Sequence, residues 1–422
     1  MQRTFATATV VALALAACGG SGSPASPTSG TGTGTGKTLI ISTDLPRQGA
    51  SKDGSEATNQ AIELYLDQIG HKVGDYTIEL KKYDDSTAAA GKWDPGQCTK
   101  NADDHVANVN EVGVMGTYNS GCAKIILPIL NQDPQGPMLM VSQANTNPGL
   151  TKMWDPGEPD KYYPTGKRNF ARVVTTDDTQ GRASAQFMAR DLGVKKCFIL
   201  NDNETYGQGV AQSFVAEAPA VGIQILGNEP WDPKQASYTA LFEKIKALEP
   251  DCVFFGGVYE NNGGQLIKDK VAVLGDNTKV KIMATGFIGY PELNKLAEGQ
   301  GLYLAFPGLT TDDLKSQGGE AAKLIADYAA KYGGEPATSY ALYGVAAVQV
   351  ILAAIAKSDG TRKSITEQVF SGSGITIPAD ISAIGKKFSI DPATGDINLL
   401  DTTIEIIKND AETYLKGWPI TA

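Results

Sequence analysis

The chain has 422 residues, 41% hydrophobic and 20% charged, the balance of a globular protein and not of a disordered one. Its 47 acidic residues outnumber its 37 lysines and arginines. The formal charge of −10 argues against a nucleic-acid partner and against electrostatic docking on anionic lipid. Once the first 36 residues are set aside, the remainder suits two domains of about 150–200 residues.

Arg3 and an apolar segment over residues 8–17 precede Leu15-Ala16-Ala17-Cys18. A basic start, a short apolar stretch and small residues form the pattern of a secretory signal, expected over residues 1–17. The stretch is too short to span a bilayer, which takes about 20 apolar residues. Leu-Ala-Ala-Cys is similar to the bacterial lipobox, in which the cysteine is lipidated and becomes the mature N-terminus. Cys18 is therefore the expected lipidation site, holding the protein at the cell membrane on the extracytoplasmic face through its acyl chains. An ordinary secretory signal with an incidental cysteine is the alternative. Residues 18–36 end in alternating Thr-Gly and read as a flexible spacer. No later apolar run has membrane-spanning length.

From Lys37 onward, strand and helix patterns alternate. An apolar run at 38–41 is followed by a helical face through Ala57, Ala61, Leu64, Tyr65 and Ile69. Tyr76, Ile78 and Leu80 alternate with polar residues at strand period. A buried run at 112–116, a helix at 122–130 and a strand at 137–141 come next. The stretch 153–169, with Trp154, Tyr162 and Tyr163, breaks this rhythm and reads as an ordered aromatic loop. The alternation resumes with strands at 197–200, 223–226, 252–255, 281–284 and 302–306, and helices at 207–218 and 238–248. Helices at 321–332, 340–356 and 364–370 follow, then short strands at 387–390 and 402–407. Alternating strands and helices indicate parallel sheets, here two doubly wound α/β domains.

Beyond Cys18, Cys98 and Cys122 fall in the first half and Cys197 and Cys252 in the second. Four cysteines allow three pairings, and the two within-half pairs are favoured. Neither pair has zinc-ligand spacing, and His71 and His105 are the two histidines. No metal or cofactor is expected. His105 reads as an exposed helical residue, and Asp84-Asp85 and Asp312-Asp313 as solvated faces or turns.

In open parallel sheets, ligands bind outside the carboxyl ends of the strands. Those ends here are polar and aromatic: residues 116–121 with Tyr118, Asn119 and Ser120; 142–146 with Ala144 and Thr146; 201–207 with Tyr206; 256–261 with Tyr259 and Glu260; and 285–287. Hydroxyls, amides and aromatic rings suit the binding of a small polar solute. No G-x-S-x-G, G-x-x-x-x-G-K-[ST] or H-E-x-x-H motif is present, which disfavours an enzyme.

Several of these segments, taken in order, resemble the periplasmic solute-binding proteins of ABC transporters, of the branched-chain amino-acid (leucine/isoleucine/valine) type. They are Lys82-Tyr83-Asp84-Asp85, Val114-Met115-Gly116-Thr117-Tyr118-Asn119-Ser120, Asn201-Asp202 with Tyr206-Gly207-Gln208-Gly209, and Phe254-Phe255-Gly256-Gly257. The resemblance spans about residues 37–415 and implies a type I periplasmic binding protein fold. Two Rossmann-like lobes would comprise residues 37–173 plus 308–385 and 174–307 plus 386–422. They would be joined by hinge crossings near 173–176, 306–308 and 385–388.

The resemblance further implies that Ser120 and Thr146 hold a ligand carboxylate and that the carbonyl of Ala144 accepts from an ammonium group. Tyr206 and, with a one-residue shift, Tyr259 line the cleft. The family's acidic ammonium partner falls at Gly286, so Glu260 or Asp202 replaces it, or the solute is not an amino acid. Arg47, in the loop after the first strand, would place a cation near the cleft. A Cys98–Cys122 disulfide approximates the family's bridge. Cys197 and Cys252 would lie on adjacent strands, as a second bridge or as two buried thiols.

The function so implied is that of a monomeric receptor delivering a small solute to an ABC permease. A sensory protein reporting to a membrane kinase is a rival. An extracytoplasmic hydrolase using Ser120 or an aspartate pair is another, disfavoured by the scarcity of histidine.

Overall fold

The computed structural model describes residues 37–419. The expected signal, Cys18 and the spacer lie outside the described residues. Two sheets organise the chain. The first runs, edge to edge, Lys72–Val73, Tyr76–Asp84, Thr38–Leu45, Glu111–Gly116, Leu139–Ser142 and Phe170–Arg172, parallel apart from the first pair. The second runs Gln224–Pro230, Lys196–Asn201, Cys252–Gly256, Lys281–Thr285 and Tyr303–Phe306 in parallel. The antiparallel hairpin Thr402–Lys408 and Ala411–Trp418 extends it.

The central strands are buried on both faces and carry near-continuous apolar runs such as Cys252–Gly256, as doubly covered parallel strands do. Helix Tyr340–Ala356 has almost no exposed side chain because it is wedged between helix Lys52–Gln68 and the first sheet. Its apolar residues surround the whole helix and not one stripe.

The helices not anticipated above include Pro95–Ala107, Asp177–Arg190 and Gly263–Leu274, and strand Ala411–Trp418 is also additional. Pro95–Ala107 buries Cys98, Asn101, Ala102 and His105, a face too polar for a hydrophobic period to mark. It starts where Asp94 accepts from the amides of Gly96 and Gln97, with proline in the first turn. His105 is not exposed. It is fully buried between Asp44, whose Oδ2 lies 3.2 Å from Nε2, and Glu111, bonded at Nδ1. Nor is Asp85 solvated. It is buried against the Cys98–Cys122 disulfide, and its burial, with Asp44, Asp84 and Glu260 nearby, raises its carboxyl well above the usual range. Asp313 closes the capping box of helix Thr311–Gln317.

Both cysteine pairs are bridged: Cys98 to Cys122 and Cys197 to Cys252. The second bridge follows from register, since Cys252 stands directly opposite Cys197 on the adjacent parallel strand. The stretch 153–169 contains the short 3-10 helix Asp160–Tyr162. It is pinned by Tyr162 Oη to Glu158 (2.6 Å) and Tyr163 Oη to the Leu150 carbonyl (2.5 Å).

Residues 173–176 and 307–310 cross between the sheets side by side, with the Thr175 amide bonded to the Pro307 carbonyl. The third crossing differs from the expected 385–388. Phe388–Ser389 pairs with Thr376–Ile377, and the Arg172 amide bonds the Gly395 carbonyl. The chain therefore stays with the first lobe until about residue 396 and joins the second sheet at Thr402. Alternation alone marks a strand at 387–390; which sheet it joins is a tertiary choice.

Candidate functional site

The carboxyl ends of the parallel strands of both sheets face one another across a cleft, the usual ligand position in such folds. Within it, Tyr118, Asn119, Ser120, Ala144 and Tyr206 line a small, partly open cavity. Val258, Gly286 and Tyr340 complete the wall. The first two sit in strand-end loops already singled out. Tyr340 opens a buried helix with no strand before it, so the strand-end rule could not find it.

Ser120 begins helix Ser120–Asn131, and the side chain of the preceding Asn119 does not cap it. The first amides of that helix present partial positive charge toward the cavity, a setting that favours an anion. The Ser120 hydroxyl accepts from the Asn147 amide at 3.3 Å, leaving its own proton available. Tyr118 meets Tyr340 edge-on at 5.3 Å, and Tyr206 Oη donates to Gln180 Oε1 at 3.1 Å. Burial raises the phenols of Tyr118, Tyr206 and Tyr340, so they act as neutral donors.

Three expected residues stand near the cavity without lining it. Thr146 is buried, and its hydroxyl has no hydrogen-bond partner. Tyr259 packs against Phe287 and Tyr290 with ring centroids 5.7 and 5.0 Å away. Glu260 accepts from the Ser51 hydroxyl of the opposite lobe through Oε2, while Oε1 is unpartnered. Burial raises Glu260 to about 7.

Asp202, the other expected replacement acid, is fully committed. Its oxygens accept from the amides of Glu204 and Val258 and from Asn261 Nδ2, at 2.8–3.0 Å. Gly286 has φ +70°, and a Cβ there would stand 2.4 Å from the Gly257 carbonyl and 2.7 Å from the Tyr206 ring. No acidic side chain fits at that position in this backbone. Arg47 turns from the cleft to Glu56, 2.7 Å from Nε.

The lobes are tied across the cleft mouth. The hairpin Ser86–Thr87 and Lys92–Trp93 leans from the first lobe onto the second. Lys92 bonds Glu204 and, at 2.6 Å, Asn261; Trp93 Nε1 donates to Glu204 Oε2 at 3.0 Å. Asn147 Nδ2 donates to the Thr205 carbonyl at 3.2 Å. Behind the cavity, buried Arg172 donates to the carbonyls of Asn145 and Asn147 (both 2.9 Å), to Thr151 and to Asp396 (2.7 Å). It thereby sets the loop that carries Ala144 and Thr146.

Comparison with known proteins agrees with this geometry. The family model described as periplasmic binding protein matches residues 44–392. A Leu/Ile/Val-binding protein, BraC3, of Rhizobium johnstonii is 29% identical over 274 residues, 65% of this chain and 67% of that protein. The next two curated relatives are spanned over 44% and 37% of their length. The leucine binding protein LivK of Thermotoga maritima superposes with TM-score 0.72 at 21% identity, covering 90% of this chain and 98% of its own. A Rhodopseudomonas palustris HaA2 solute-binding protein in complex with p-hydroxybenzoic acid gives 0.74 at 16% identity, covering 90% and 97%. At those identities the superpositions establish the fold. With its two α/β lobes and interlobe cavity, the chain belongs to the periplasmic binding protein family.

Proposed function

We propose that this protein is an extracytoplasmic receptor, lipid-anchored through Cys18, that binds a small carboxylate solute between its lobes and delivers it to an ABC permease. The observation that carries the reading is the uncapped start of helix Ser120–Asn131, opening with the Ser120 hydroxyl into the interlobe cavity. The relatives narrow the solute class, being described as binding leucine, isoleucine and valine, and two solved structures of this fold hold isoleucine and p-hydroxybenzoic acid. Both chemistries bring a carboxylate that the helix start would receive. Binding without turnover is supported by the placement of the histidines. His105 is enclosed in the first lobe and His71 pairs with Asp67 at the surface, so neither serves Ser120 as a base.

A thermal-shift panel of amino acids, amides, polyols, nucleosides and aromatic acids on the purified protein tests the reading. Carboxylate-bearing solutes are expected to raise the melting temperature. Ser120→Ala and Thr146→Ala are each expected to weaken binding by about 1–3 kcal/mol. Unchanged affinity in both variants, or turnover of a bound solute that Ser120→Ala abolishes, would overturn it. Cys18→Ser is expected to release the protein from the membrane or leave it unprocessed.

A further inference from the structure

We propose that an acidic cavity separate from the solute cleft binds a hard divalent cation, calcium in preference to magnesium, held chiefly by Glu405 and Glu412. This goes beyond the solute-binding reading and does not depend on it.

The cavity lies where the hairpin Thr402–Lys408 and Ala411–Trp418 meets the segment that leads into helix Tyr340–Ala356. Glu405, Glu412 and Asn294 line it from the second lobe, and Asp312, Glu335 and Ser339 from the first. Exposed Asp410 adds a fifth carboxylate, and none of the described residues lining it is a lysine, arginine or histidine. Strand alternation places Glu405 on the same face as Thr403 and Ile407, both 0% exposed, a face that otherwise packs inward. Glu405 is itself 5% exposed, and its Oε2 has no hydrogen-bond partner. The charges that act on it are all negative, from Glu412, Asp312 and Asp313. Glu412 accepts from the Gly289 amide at 2.8 Å and meets Asn294, whose own Oδ1 is buried without a partner.

A carboxylate taken out of water among other acids, with no donor, is costly, and a fold retains it where a positive charge completes it. None of the described residues lining the cavity supplies that charge. Lys315 is held outside it by Asp312 at 2.8 Å and Glu335 at 2.9 Å. Asp313 is already satisfied, accepting from the Thr310 amide and from the Thr310 and Thr403 hydroxyls. The groups left over are oxygens: the carboxylates of Glu405 and Glu412 and the amide carbonyl of Asn294. Carboxylate, amide and water oxygens are the ligands of hard divalent cations. Calcium takes about six to eight of them in flexible geometry, whereas magnesium demands a near-ideal octahedron. A wall assembled from two lobes suits the first. Cysteine and histidine spacing, which speaks for or against zinc, does not bear on such a site.

Calorimetric titration and thermal melting of the purified, chelator-treated protein with calcium chloride test this, using wild type, Glu405→Gln, Glu412→Gln and Glu249→Gln. Wild type is expected to bind calcium with a dissociation constant at or below about 1 mM and to gain about 2–5 °C in melting temperature at saturation. Glu405→Gln and Glu412→Gln relieve repulsion between acids and so keep the fold without metal; each is expected to weaken calcium binding at least about tenfold. Glu249→Gln removes one charge from a side chain 86% exposed and is expected to keep the wild-type response. Absence of a calcium response in wild type would overturn the proposal. So would equal responses in all four proteins, the mark of diffuse attraction to an acidic surface. Magnesium chloride, titrated in the same way, is expected to bind more weakly, and equal or tighter binding would overturn the preference for calcium.

Discussion

Replacing His105 by Gln tests the electrostatics of the first lobe. The imidazole is enclosed by Asp44 on Thr38–Leu45, Glu111 on Glu111–Gly116 and the ring of Tyr83 on Tyr76–Asp84, 4.2 Å away. Ser42 and Asn101 complete the shell, bonding Glu111 and Asp44, and Arg362 Nη2 donates to the His105 carbonyl at 3.1 Å. Burial opposes the imidazolium, but the hydrogen bonds to Asp44 and Glu111 outweigh it and raise the group to about 9. Against an unfolded value near 6.5, that shift corresponds to about 3 kcal/mol of folding stability. Because the folded value is raised, the contribution is complete below about pH 6.5 and vanishes as pH rises through about 9; near pH 8 roughly 1.4 kcal/mol remains. Removing the cation also leaves two buried carboxylates facing each other, which independently puts the loss at about 3–5 kcal/mol. Urea unfolding of wild type and His105→Gln from pH 5.5 to 10 measures it. A gap near 3 kcal/mol at low pH that closes by pH 10 is expected. A gap under 1 kcal/mol at pH 6, or one independent of pH, would refute the charged-histidine account.

Glu204→Ala removes an acceptor of both Lys92 and Trp93 at the cleft mouth, where the Lys92 and Glu204 side chains are 28% and 18% exposed. It is expected to weaken solute binding by about 1–2 kcal/mol, roughly 5–30-fold, by destabilising the closed arrangement. Calorimetry checks this, and unchanged affinity would mean the hairpin contact does not stabilise closure. Arg172→Ala strands two carbonyls and Asp396 around a fully buried site, and a loss of about 3–5 kcal/mol in urea unfolding is expected. Arg172→Lys should recover little of it, because one ammonium cannot match the guanidinium's several fixed donors. A loss below 1 kcal/mol would show that the loop holding Ala144 and Thr146 is set by other contacts.

Much of the fold is legible because local periodicity and burial coincide. The runs ending at Gly116, Ser142, Asn201, Gly256 and Thr285 are strands, and the polar residues after them face the cleft. Helices with polar buried faces escaped that logic, as Pro95–Ala107 shows with Asn101 and His105 inward. Tyr340 escaped it because a helix start far along the chain supplies it. The third crossing escaped it because Phe388–Ser389 is equally strand-like on either lobe.

By itself, the sequence determined the α/β class, the two alternating strand–helix domains and the polar strand-end loops, among them the one that carries Ser120. Those follow from short-range patterns that hold wherever the segment packs. Tertiary structure alone decided three other things. The register of two strands brought Cys197 opposite Cys252. Packing enclosed His105 and Asp85, residues that as isolated polar groups prefer water. The crossing after Arg172 carried Asp177 back against Thr146, leaving an acid unpaired beside the cavity while Gly286 was left with no room for one. Which buried acid is left without a partner depends on every donor around it, and those donors come from distant segments of the chain.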